Sequence, residues 1–277
     1  MKTFNLRMTP DDNTLDRELQ AAKGQDSSEP GTKTGTCTFE TEVTGGTAVP
    51  KWASLLLPAC DWEDTGGVYY AANGVTTLTL VVYRDGLKQT LYGARGTFEV
   101  MCDTGQIPRI SWTFTGKYAA EADASILDPT YETALAPAFQ GGTNTVTIGS
   151  FSPLASSMRI SANNTVVYRE SANDPHTEST GVYAAAITDR RPTLTIDPET
   201  VSIASKDWGT IRSAKTESVI TVNLGTEAAS NRATITCDRA QVIRRPIDQR
   251  NGLLVNQLTF QLNGASNSCY FSFPDVA

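Results

Sequence analysis

Apolar and polar residues alternate along much of this chain, most clearly between residues 91 and 118. Phe98, Val100 and Cys102 share one face, with Glu99, Met101 and Asp103 on the other. After a short turn, Ile110, Trp112 and Phe114 share a face, with Ser111, Thr113 and Thr115 opposite. Strict alternation is the mark of a half-buried strand, so this stretch predicts a hairpin. Asp103 to Pro108 carries its turn, because Gly105 can adopt positive φ and Pro108 fixes the return into the next strand. Gly93, Gly96 and Gly116 mark places where the backbone bends or another backbone approaches.

The same reading extends along the chain. Cys37, Phe39 and Val43 face one way and Thr38, Glu40 and Glu42 the other, which predicts a strand over 36–43. Pro50 then opens a short helix over 50–57, a favoured first-turn position. Trp52, Leu55, Leu56 and Ala59 form its apolar stripe, which packs over the open face of the sheet, and Pro58 ends it. Residues 76–83 form a strand that ends in the turn Arg84-Asp85-Gly86. Further strands fall at 145–151, 158–162, 165–170, 183–189, 193–196, 219–224, 233–238, 254–262 and 269–273, with a second short helix at 208–214. Residues 119–143, punctuated by Asp128-Pro129, Ala136-Pro137 and Gly141-Gly142, predict a long loop crossing a surface. Residues 1–35 are polar and predict an extended N-terminal arm, leaving 36–277 as the β domain. Strands do not alternate with regular helices, which argues against a doubly wound α/β fold. No short-period repeat is visible, but the halves on either side of residue 145 have similar strand counts, which leaves a two-fold duplication open.

Composition adds three constraints. A chain of 277 residues makes one large or two small domains and can bury a core without disulfides or metal. Abundant Thr, with 21 Gly and 13 Pro, favours an all-β fold with many turns. With 23 Lys+Arg against 30 Asp+Glu, the net charge of −7 is unsuited to gripping nucleic acid over the whole surface. An acidic surface repels nucleic acid instead. Cys37, Cys60, Cys102, Cys237 and Cys269 are odd in number and far apart, which predicts buried free thiols and folding in a reducing compartment. The start, Met1-Lys2-Thr3-Phe4-Asn5-Leu6-Arg7, lacks an apolar signal core, and no apolar run reaches the roughly 18 residues of a span, so no membrane insertion is expected.

Candidate chemistry is sparse. His176 is the single histidine and sits in the turn-like Asn173-Asp174-Pro175-His176, a poor start for a nucleophile–base–orienter arrangement. Nucleophile-elbow, phosphate-loop and zinc-helix motifs are absent. Asp61, Glu63 and Asp64 cluster without the spacing of a calcium loop and read as solvated charges. No enzyme, cofactor or metal is expected. Arg239, Arg244, Arg245 and Arg250, with Asp238 and Asp248 among them, read as an ion-pair network or a contact with the acidic arm of another copy.

The Gly-x-Arg-Gly of residues 93–96, the Gly-x-x-Pro of 105–108 and the aromatic strand closing on Thr115-Gly116 resemble the central hairpin of tail tube proteins (major tail proteins) of long-tailed bacteriophages. The likeness continues upstream through Glu29-Pro30-Gly31-Thr32-Lys33-Thr34-Gly35. Downstream it takes in Ile187-Thr188-Asp189-Arg190-Arg191-Pro192, the Gly225…Asn231-Arg232 turn and Tyr270-Phe271-Ser272-Phe273, and so covers residues 29–273. It implies a mainly β, tail-tube-type sandwich or barrel with one or two short helices, a long loop and an extended N-terminal arm. It implies a non-enzymatic virion protein, assembled in the host cytoplasm, that self-associates into stacked rings forming the conduit for DNA ejection. Rings in the family usually hold six copies; three enlarged subunits that mimic six are the other option. Loop and arm would reach the next ring, and a tape measure protein and tail terminator or baseplate proteins would be the partners. Glu40 and Glu42, or Glu99 and Asp103, have the spacing and sign to face an acidic lumen. Two other readings stay open: a carbohydrate-binding or adhesive β-sandwich displaying Trp62, Tyr69 and Tyr70, and an inner-tube subunit of a contractile injection system. A hydrolase on a β scaffold is the weakest, since no nucleophile–base pair is visible.

Overall fold

The computed structural model describes residues 3–18, 25–128, 135–142, 144–173, 181–226, 231–264 and 268–274. The chain opens with β1 (Thr3–Glu18) and β2 (Gln25–Glu42), then two helical turns, Trp52–Leu56 and Pro58–Cys60. Next come β3 (Trp62–Thr65), β4 (Val68–Ala71), β5 (Leu78–Arg84), β6 (Leu87–Asp103), β7 (Arg109–Tyr118) and the short β8 (Ala122–Asp123). They are followed by β9 (Asn144–Ile148), β10 (Ala155–Ser161), β11 (Asn164–Glu170), β12 (Val182–Arg190) and β13 (Thr193–Pro198). Helix α1 (Trp208–Ser213) precedes β14 (Glu217–Leu224), β15 (Ala233–Arg244), β16 (Ile247–Arg250), β17 (Leu253–Asn256), β18 (Leu258–Leu262) and β19 (Tyr270–Ser272).

One antiparallel sheet dominates, in the order β1-β2-β7-β6-β10-β13-β18-β15-β19-β4-β3. β5 lies beside β6, and β14 lies beside β15 with β9 beyond it. β15 passes between two layers: its start pairs with β19 and its end with β18. The strip β19-β4-β3 thereby folds back over the apolar face of β6 and β7. The rings show this directly: Trp62 lies 4.9 Å and Phe271 5.7 Å from Phe98 of β6. The result is the mainly β, sandwich-type fold expected, with few and short helical segments.

The core is aromatic where the layers meet. The turn Trp52–Leu56 presses Trp52 against Trp112, Phe271 and Phe273, with centroids 6.4, 5.9 and 5.6 Å apart. A buried indole loses the water around its N–H, a cost that an acceptor inside the protein offsets. Trp52 donates to the Thr44 carbonyl at 3.1 Å, Trp62 to the Cys269 carbonyl at 3.0 Å and Trp112 to Thr41 Oγ1 at 2.9 Å. All five cysteines are buried free thiols, as expected. Burial pushes the Cys37 thiol up to about 11 and the Cys102 thiol up to about 12. The glycines of the central hairpin serve close approach: a Cβ on Gly96 would sit 2.3 Å from the Thr113 carbonyl oxygen, and one on Gly116 2.7 Å from that of Tyr92.

Where the elements differ from expectation, the reasons are physical. β2 begins at Gln25, because β1 runs antiparallel along it from Thr3↔Thr41 to Glu18↔Gln25. The arm residues described therefore form a two-stranded ribbon, with Met8 buried in the core near its base. Backbone pairing needs no apolar alternation, which is why the ribbon left no pattern. The stretch expected as one strand over 254–262 is two, β17 and β18, broken at Gln257, whose N–H donates to the Pro246 carbonyl at 2.9 Å. α1 starts where Asp207 accepts from the Thr210 N–H at 3.0 Å, an N-cap. The long loop is anchored near both ends of the β6–β7 hairpin. Ala124 N–H donates to Gly86 O at 2.8 Å, and Phe139 N–H to Gln106 O at 2.7 Å. Among the described residues, no helix is long and apolar enough to cross a membrane.

One ion pair lies within this core. Arg95 of β6 pairs with Asp61, both side chains being almost inaccessible. Asp61 follows the turn Pro58–Cys60 in the left-handed region, at φ 65°. Arg190 closes the group, donating to the Asp61 and Ala72 carbonyls at 3.2 and 2.7 Å with its guanidinium over the Trp62 ring. Burial pushes the Asp61 carboxyl up, against the pull of Arg95 and Arg190. Arg95→Ala leaves Asp61 buried opposite an empty site, and the unassembled chain should lose about 3–5 kcal/mol in a denaturant melt. Phe98→Ala, which opens a cavity where both layers meet, should cost a similar ~3–5 kcal/mol.

Candidate functional site

The long sheet has a second face, and its chemistry is the opposite of the core. Along β2, Thr36, Thr38, Glu40 and Glu42 are half-exposed while Cys37, Phe39 and Thr41 are buried. β7 repeats this with Arg109, Ser111, Thr113 and Thr115, and β6 with Thr97, Glu99, Met101 and Asp103. The registers bring these residues side by side. Glu40 lies opposite Ser111, Ser111 opposite Glu99, and Glu99 opposite Ser161. The row continues through Thr193, Gln261 and Gln241 to Glu217. Eight adjacent strands thus contribute one polar residue each to a single line across the sheet. β-branched Thr suits such a face, because it stiffens the strand while showing a hydroxyl to water.

The charges on this face are matched across strands. Glu40 pairs with Arg109 at 3.1 Å and also accepts from Asn5 at 2.9 Å, while Arg109 covers the Phe4 ring. Asp103 pairs with Arg159 at 2.7 Å, and Glu99 accepts from Ser161 Oγ at 2.8 Å. The four lumen candidates, Glu40, Glu42, Glu99 and Asp103, therefore share one face, but it is a hydroxyl-rich surface with interleaved arginines, less purely acidic than expected. At one end of the sheet, Asp197 is held by Arg250 at 2.6 Å, by Ser156 Oγ at 2.6 Å and by the Ser156 and Ser157 N–H groups. Burial raises the Asp197 carboxyl, but these hydrogen bonds outweigh it and hold it below the usual carboxylate range.

The expected arginine cluster is dispersed. Arg239 binds Glu217 through two bonds of 2.7 and 3.1 Å, and Arg250 joins Asp197 to Glu199. Asp238 and Asp248, expected as their partners, instead accept from Tyr270 and Gln257. Arg244 is exposed and Arg245 half-buried near Asp207, whose carboxyl is lowered first by its Thr210 hydrogen bonds and least by Arg245. The aromatic platform expected of an adhesive module is not on the surface. Trp62 and Tyr69 are core residues, and half-buried Tyr70 packs on Tyr270 at 5.0 Å. Of the clustered acids Asp61, Glu63 and Asp64, the first is buried, which corrects its reading as a solvated charge. His176 lies outside the described residues. Among those described, no group of three potential metal ligands occurs.

The described chain is sheet-built, with one aromatic core face and one continuous polar face across eight strands. The family model described as phage tail tube protein matches residues 10–267, and the chain belongs to that family. No curated protein matches it. Membership makes the chain a structural component of a phage tail, of the kind that self-assembles into a tube.

The Asp197 site gives a pH prediction. A carboxyl held below its unfolded value of ~3.9 contributes stability above that pH, and the contribution is lost as pH falls through the folded value. Asp197→Asn should therefore cost roughly 1–3 kcal/mol at pH 7. The gap to the unaltered chain should close as melts are repeated below pH 4.

Proposed function

We propose that copies of this chain join edge to edge into rings, that the rings stack into a hollow tube, and that the polar face of the long sheet lines the lumen through which DNA is ejected. The row from Glu40 to Glu217 carries this reading, since it is unbroken across the strands. A conduit wall must be wetted without holding the phosphate backbone. Thr and Ser hydroxyls bind water, and each arginine on the Glu40–Asp103 part of the face is already occupied by a carboxylate, so no bare cationic stripe faces the DNA. The surplus carboxylates repel it.

In this reading the ring holds six tube units, built from six copies or from three enlarged ones. The arm over 1–35 and the loop over 119–143 reach the next ring. A tape measure protein occupies the lumen before DNA, terminator and baseplate proteins cap the ends, and assembly takes place in the host cytoplasm, where buried thiols stay reduced. Arg244 and Arg245 are the arginines best placed to meet another copy, while Arg239 and Arg250 brace their own chain.

The test is charge reversal on the wall. Glu42→Lys with Glu99→Lys should leave tube length and yield unchanged but slow ejection several-fold, an effect that fades as salt rises. Intact tubes with unaltered ejection kinetics at low and high salt would place the lumen elsewhere.

A further inference from the structure

The ribbon of β11 and β12 is a sheet of its own, and β12 packs across β6 and β7. The approach is close at one point. Gly93 of β6 sits at φ 57°, and a Cβ there would lie 3.3 Å from that of Ala184 on β12. Around this contact, ribbon and sheet enclose a cavity of about 960 Å³, bordered also by the segment from Gly74 to Thr79. Its size is that of a pocket for a small organic molecule, which runs from roughly 300 to 1,000 Å³. None of the residues in the polar row from Glu40 to Glu217 lines it.

The charge of this cavity is one-sided. Arg95 of β6, Lys117 of β7 and Arg169 of β11 line it, and among the described residues no carboxylate does. The chain as a whole has the opposite balance, with 30 acidic against 23 basic residues. Arg95 and Lys117 are buried, and a buried cation is costly unless anions or acceptors surround it. Arg95 is compensated only in part. One of its nitrogens pairs with Asp61, which lies outside the cavity lining, while its Nε is buried with no acceptor. Arg169 is exposed, its guanidinium lies 5.2 Å from the centroid of the Tyr183 ring, and it has no carboxylate partner among the described residues. The arginines of the polar face differ, since Arg109 and Arg159 are each held by a carboxylate. Tyr92, which is exposed, adds a second flat ring to the lining.

We propose that this cavity binds a small organic anion carrying a phosphate group and a flat ring, in class a nucleoside monophosphate. Guanidinium and ammonium groups are the side chains that take phosphate oxygens, and the anion supplies the acceptor that Arg95 Nε lacks. The ring lies on the tyrosine faces, where Arg169 already stacks on one of them. The cavity is formed within one chain, so binding does not depend on ring formation.

Calorimetric titration of the full chain tests this, with adenosine monophosphate, inorganic phosphate and adenosine as probes at one ionic strength set by sodium chloride. The expected result is saturable binding of one monophosphate per chain, tighter than that of phosphate or adenosine alone. Arg169→Gln should weaken it at least about tenfold. The melt of the ligand-free chain should stay nearly unchanged, because Arg169 is exposed and holds no ion pair among the described residues. Tyr92→Ala should weaken the monophosphate and leave inorganic phosphate unaffected. Arg212→Gln, which removes an exposed arginine of α1 outside the cavity, should change neither. No saturable binding at millimolar monophosphate would overturn the site, as would an Arg169→Gln chain that binds as tightly as the unaltered one. Equal losses with Arg169→Gln and Arg212→Gln would assign the effect to net charge and overturn the cavity as its source. Monophosphate bound no more tightly than inorganic phosphate would overturn the flat-ring part of the ligand.

Discussion

A strand shows alternate side chains to opposite faces, and eight neighbouring strands of this chain keep that alternation in step. Everything else depends on that register. A slip of one residue in any strand would carry its aromatic residues to the polar face and its hydroxyls into the core. The register is held by groups that tolerate no slip: three buried indoles with assigned acceptors, an ion pair between Arg95 and Asp61, and two glycines where no Cβ fits. These contacts act as position markers as much as sources of stability, since a buried ion pair gains little over an apolar pair of the same shape but costs much when broken.

The same alternation explains how one chain can present a wall. Because the core needs only one face, the other is free to be chosen for its behaviour toward water and charge. Glu40 and Asp103 on it are tied sideways to arginines of adjacent strands, which fixes their positions and spends that positive charge within the sheet. Open edges are hazardous in a solitary β protein, since they template uncontrolled pairing. In the ring proposed for this chain they become the means of growth, provided that each edge has one complementary partner.

Strand positions were legible where alternation was strong, as in β6, β7, β13 and β14. They were not legible where pairing rests on the backbone alone. β1, the outer part of β2, and β16 have both faces largely in solvent, so no apolar period marks them. The face carrying Glu40, Glu42, Glu99 and Asp103 could be named from parity within each strand. Their counter-charges could not, because Arg109 and Arg159 reach them through pairings between strands distant in the chain. Asp61 was misread for the same reason: acids in a row resemble a solvated loop until Arg95 is brought to one of them.

Composition and spacing alone determined the β class, the side of each strong strand that faces the core, the five buried thiols and, by resemblance, the family. These are local properties, since alternation and turn chemistry act within a few residues. Tertiary structure decided which strands are neighbours, which carboxylates meet an arginine, and that Trp62 and Tyr69 belong to the core. Those outcomes depend on hydrogen-bonded pairing between segments far apart in sequence, and no short-range pattern records which segment a strand will meet.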